Sequence, residues 1–168
     1  MTQSTGLENA ATFVKSKLFA RTFSEGMSLV EETANYLDGV GRDASKALSR
    51  SGALAYAGSS MRLTTQLMQI ASWLLVMRAV REGEMSLDEA KDDKYRIKSK
   101  ETRLGDFREQ GLPDGLVSLA EASAQLYSRI SRLDGELFAP AGDGVGINDA
   151  ASQQRALMAA FARVRPIS

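Results

Sequence analysis

The fold is decided by MRLTTQLMQIASWLL, residues 61–75. Leu63, Leu67, Ile70, Leu74 and, just beyond, Met77 recur at steps of three and four, which marks one face of an α-helix. Met61, Met68 and Leu75 lie off that line, in a row of their own. Between Leu63 and Val80 the only charged residue is Arg78; the polar residues are Thr64, Thr65, Gln66, Gln69 and Ser72. A helix on the surface of a monomer carries a charged outer face. This helix is apolar on two sides. Either it lies between two other helices, or its second side meets a partner, most simply a second copy, since two-fold dimers are the commonest oligomers. The candidate dimer or partner interface is therefore Met61, Arg62, Thr65, Met68, Gln69, Ser72, Trp73, Leu75 and Arg78. Trp73 is an anchor candidate because Trp is enriched at interfaces; the competing reading is ordinary core. Arg62 and Arg78 are also placed to pair with acids of the preceding helix.

Working outward, this helix is expected from about Leu54 to about Glu82, with Ser51-Gly52 as the break before it and Gly83 as its C-cap glycine. Upstream, Thr22 to Glu25 has the spacing of a capping box. Phe23, Met27, Val30, Ala34, Leu37, Gly41, Ala44 and Leu48 follow as a first helical stripe. Downstream, Ser86 to Glu89 is another capping box, fit to start a short helix. Residues 91–110, KDDKYRIKSKETRLGDFREQ, carry charges of both signs with few apolar residues. They read as a long connection, and such connections are functional or disordered. A third stripe runs through Leu116, Leu119, Ser123, Leu126, Ile130, Leu133 and Leu137.

The expected fold class is all-α: a three-helix bundle of long antiparallel helices with a flexible C-terminal tail. Residues 1–18 are expected to be a flexible lead-in and 19–139 the bundle, with a 91–113 connecting loop. Residues 140–168 are the tail, with one short helical segment.

Composition removes most chemistry. The 168 residues contain no cysteine and no histidine. Disulfides, thiolate chemistry, Ser-His-Asp triads and His-ligated zinc are thereby excluded, as is histidine phosphotransfer. Lys plus Arg is 21 and Asp plus Glu is 21, so the formal net charge is zero. That speaks against a general nucleic-acid binder and against electrostatic docking on a membrane. The first twenty residues lack the basic-then-apolar order of a signal peptide, and no apolar run approaches a bilayer span, so a cytoplasmic location is expected.

The carboxylate pairs Glu31-Glu32 and Asp92-Asp93 are adjacent, and adjacent residues on a helix diverge by about 100°. GDGVG at 142–146 follows no strand, so it is no phosphate loop. No catalytic group, metal site or cofactor is indicated. Tyr95, Arg96, Lys98 and Lys100 are the candidate partner-binding residues of the connection. The residues thus read as a helical protein that binds other proteins.

Two segments, RTFSEGMSLVEETANYLDGVGR (21–42) and SMRLTTQLMQIASWLLVMRAVREGEM (60–85), resemble the family of alphaproteobacterial regulators of CtrA degradation, RcdA. The resemblance is dense from about Phe19 to Tyr95 and fainter along the third helix. It implies a homodimeric three-helix bundle without enzymatic activity. Its expected role is an adaptor that helps deliver protein substrates, including cell-cycle transcription regulators, to the ClpXP protease. The partners it implies are ClpX and a receiver-domain regulator. Three other readings stay open: a structural helical dimer, a DNA- or nucleotide-responsive regulator, and a carboxylate or metal enzyme.

Overall fold

The computed structural model describes residues 4–97 and 111–138, and every regular element among them is helical. The helices are α1 (Ser4–Val14), α2 (Lys17–Asp38), α3 (Val40–Lys46), α4 (Arg50–Arg81), α5 (Leu87–Ala90) and α6 (Asp114–Leu137), with a 3₁₀ turn at Asp93–Tyr95. The all-α class read from the sequence is what forms. At 1.5 Å per residue, the 32 residues of α4 span roughly 48 Å, so this helix sets the length of the domain.

Local chemistry fixes most of the boundaries. Ser16, Ser49 and Ser86 each cap a helix, accepting from the backbone N–H three residues on. A cap satisfies one of the orphan amides of a first turn and contributes about 1 kcal/mol. Ser86 and Glu89 form the reciprocal capping box expected of them. The capping-box spacing at Thr22 starts nothing: Thr22 is buried inside α2, its hydroxyl donating to the Leu18 carbonyl. Nor do Ser51 and Gly52 break the chain. They lie in the first turn of α4, and the break falls at 47–49. Gly83 has φ +76°, a left-handed conformation that stops α4 where expected.

Three long helices, α2, α4 and α6, pack on one another. Gly26 of α2 lies against Leu74 and Leu126, and Tyr36 lies against Gly115. Gln66 meets Ser123, and Trp73 meets Asp134. These pairs orient the bundle. The antiparallel arrangement holds for α2 against both partners, while α4 and α6 share a direction. The end of α4 and the start of α6 therefore lie at opposite ends of the bundle.

The core line of α2 is rotated one residue from the expected stripe. Its deepest residues are Phe19, Thr22, Gly26, Leu29 and Thr33, with Phe23, Met27, Val30 and Leu37 half-buried beside them and Ala34 exposed. The cause is that α2 faces two helices at once. The line that bisects them is rich in small residues, which lets the backbones approach. A Cβ on Gly26 would sit 2.4 Å from Leu74 Cδ1.

The lead-in expected at 1–18 is corrected over its described part. Residues 4–14 form α1, which packs on α2, α4 and α6 and buries Ala10, Phe13 and Val14. The Phe13 ring lies 5.6 Å from Phe19 and 6.3 Å from Trp73, centroid to centroid. A helix of this length is marginal alone in water and owes its existence to that docking. The tail expected at 140–168 lies outside the described residues.

Candidate functional site

The two-sided helix of the sequence is α4, and the structure sorts its second side. Leu63, Leu67, Ile70, Leu74 and Met77 are core, at most 4% exposed. On the opposite side Met61 is 71% exposed, Met68 68% and Leu75 51%. Leu54, seven residues before Met61, continues that row and is 71% exposed. Sequence reading missed it, although the interval of seven points to it. Gly58, Thr65, Ser72 and Ala79 recur at the same interval beside the row, so large and small residues alternate along a seam of coiled-coil type. Single exposed apolar residues are ordinary; here four lie in register on one helix.

Of the remaining interface candidates, Arg62, Thr65, Gln69, Ser72 and Arg78 are exposed. The expected pairing of Arg78 with acids of α2 is corrected: its Nε donates to Glu82 Oε1 of its own helix at 3.0 Å, and its guanidinium lies 5.4 Å over the Phe23 ring. Arg62 donates to Ser59 Oγ at 3.3 Å.

Trp73 does not belong to this face. It is 2% exposed, covered by Phe13 of α1, and its indole Nε1 donates to Asp134 Oδ1 at 2.8 Å. Gln66 is likewise inside, accepting from Ser123 Oγ at 2.7 Å. Both polar contacts knit α4 to α6 where a polar group would otherwise be buried without a partner.

The connection shows a second departure. Arg96, expected to greet a partner, turns inward. Its Nη1 lies 2.9 Å from Asp134 Oδ1, and the two side chains are 14% and 7% exposed. Its guanidinium lies 3.7 Å over the Phe138 ring, and Nη2 donates to the Ala90 carbonyl. Nε and Nη1 have no acceptor in line, so the pair is a close charge contact more than an aligned hydrogen bond. Burial pushes the Asp134 carboxyl up, against the lowering effects of Trp73, Arg96 and the Ile97 backbone amide. Burial also pulls the Arg96 guanidinium down. Asp134 was legible as an anomaly: an acid four residues after Ile130 falls on the buried face of α6. Tyr95 is half-buried, with Lys94 4.9 Å over its ring. Lys98 and Lys100 lie outside the described residues.

A groove of about 500 Å³ opens between α4 and residues 93–97. Thr65, Met68, Gln69, Ser72 and Trp73 line one side of it. It is therefore continuous with the exposed seam. Among the described residues no group of three or more acidic side chains is placed to hold a metal ion, and no helix is long and apolar enough to cross a membrane.

The comparisons with known proteins agree on the family. Residues 10–161 match the model of a protein family of unknown function, DUF1465. The structure is similar to the crystal structure of RcdA from Caulobacter crescentus CB15, with a TM-score of 0.65 and 51% sequence identity. That match covers 78% of this chain and 99% of the solved one. The chain belongs to the RcdA family. A search of curated proteins returned no match. Neither the family description nor the solved relative's name denotes an enzyme. The segments that carried the sequence resemblance to RcdA are α2 with the start of α3, and most of α4 with the turn after it. The second of these includes most of the exposed seam.

Proposed function

We propose that this protein is a non-enzymatic adaptor in regulated proteolysis, working in the cytoplasm as a homodimer. In this reading it presents protein substrates, cell-cycle transcription regulators among them, to the ClpXP protease, together with a receiver-domain regulator that engages ClpX. The observation that carries it is the 51% identity to RcdA over 99% of the solved chain. The geometry supports it independently. The described residues offer a helical scaffold with an uncovered apolar seam, which is what an adaptor needs.

The seam is the dimer surface in this proposal. Leu54, Met61, Met68 and Leu75 supply large knobs, and Gly58, Thr65, Ser72 and Ala79 supply the gaps that let a second α4 approach. Arg62, Gln69 and Arg78 flank it as a polar rim. Lys98, Lys100 and the residues beyond 139 remain candidates for contact with the protease partners.

Cross-linking followed by affinity capture from the organism's own reducing lysate tests the assignment. ClpX, a receiver-domain protein and short-lived regulators are expected among the captured chains, with cross-links from α4 to a second copy. Capture that yields none of these, at expression levels where the dimer itself is recovered, would overturn the adaptor role.

A further inference from the structure

We propose that residues 86–97 form a strap held on the bundle by one buried ion pair, Arg96 with Asp134, and that its release uncovers Trp73 and widens the groove beside the α4 seam. This inference does not depend on the adaptor reading.

The strap has little apolar hold. From Asp88 to Lys94 every residue but Ala90 is exposed. Its apolar anchors are Ala90 and Ile97, with half-buried Leu87. The polar part of the attachment converges on Asp134, through the Arg96 side chain and the Ile97 amide. Arg96 reaches Asp134 and Phe138 at the end of α6, and folds back on the strap's own Ala90 carbonyl. Asp134 in turn accepts from Trp73 of α4 and from the Ile97 amide of the strap. One carboxylate thus joins α4, α6 and the strap.

A clasp of this kind is close to balance. Taking two charges out of water costs about as much as their attraction returns, and replacing such a pair with apolar side chains is often neutral or stabilising. Here Arg96 also leaves two nitrogens without aligned acceptors, which moves the balance further toward release. The directions in which burial moves both groups agree with charges held at a cost. When the strap lifts, both charges regain water, while Asp134 keeps the Trp73 indole. Segments with few buried apolar contacts open locally at free energies well below that of global unfolding. Because the groove is shared by Trp73, Arg96 and Ile97, opening enlarges an apolar recess contiguous with Met68 and Ser72.

Trp73 is the only tryptophan in the chain, so its fluorescence reports on the strap directly. The test uses the full-length protein, with acrylamide quenching of Trp73 and hydrogen exchange of peptides covering 86–97. Arg96→Met leaves Asp134 without its cation and is expected to raise the quenching constant several-fold and to deprotect 86–97, with α2 and the middle of α4 still protected. Adding Asp134→Asn to Arg96→Met removes the unpaired charge while keeping an oxygen acceptor for the Trp73 indole, and is expected to bring both readings back toward the wild-type level. Unchanged quenching in Arg96→Met, or a double variant as open as the single one, overturns the clasp. Should Arg96→Met fail to fold, the wild type decides. Exchange of 86–97 faster than the middle of α4 supports a strap that opens by itself; exchange of both at one common rate overturns it.

Discussion

Met68→Gln is the sharpest perturbation of the proposed dimer. The substitution keeps side-chain length and helix propensity, and Met68 is mostly exposed in the single chain, so the fold of each copy is expected to survive. The magnitude follows from exposure. Full burial of a methionine side chain contributes about 1.5–3 kcal/mol. Met68 is 68% exposed in the single chain, so roughly two thirds of that, about 1–2 kcal/mol, is recoverable in an interface. A two-fold interface uses the residue twice, giving about 2–4 kcal/mol per dimer, or a dissociation constant weaker by roughly 30- to 700-fold. Sedimentation equilibrium over a concentration series reads this directly, with far-UV circular dichroism as the control for folding. A dissociation constant within a few-fold of wild type, with helicity intact, would refute the placement of the seam at the dimer centre. So would a wild-type chain that stays monomeric throughout the series.

Two further perturbations probe the bundle itself. Gly26→Ala is expected to lower stability by up to about 2 kcal/mol, because the overpacking against buried Leu74 costs about 1–3 kcal/mol and the gain in helix propensity returns only about 1 kcal/mol. Gly135→Ala, where a Cβ meets no atom within 4 Å, is expected to stabilise by up to about 1 kcal/mol; chemical denaturation that ranks the two variants the other way would contradict the close approach at Gly26. Asp134 carries a predicted pH signature. Its carboxyl is pushed above its ordinary value of 3.8 by burial, so the folded chain holds this proton to higher pH than the unfolded one. Stability is then lost as pH rises from the ordinary value through the raised one. Asp134→Asn removes that loss. Urea melts of both proteins between about pH 3.5 and pH 7 are expected to show the variant gaining on wild type as pH rises; a difference that is flat across the range counts against a raised carboxyl.

The amino-acid sequence by itself determined the helical class, the core stripes of α4 and α6, the stop at Gly83, the capping box at Ser86 and the two-sidedness of α4. Each of these is set by residues within a few turns of one another, where period and cap chemistry act directly. The absence of cysteine and histidine likewise excluded whole reaction classes before any fold was known. Tertiary structure alone decided what covers each face. Trp73 and Gln66 lie off the main stripe, yet they are core because α1 and α6 lie over them. Met61, Met68 and Leu75 look no more exposed in the sequence than Trp73 does, and they are left bare. α1 is too short to declare itself without the aromatic surface of Phe19 and Trp73 to dock on. The inward turn of Arg96 depends on Asp134, 38 positions away in the chain. Periodicity tells which side chains share a side of a helix; only the arrangement of distant helices settles whether that side meets protein or water.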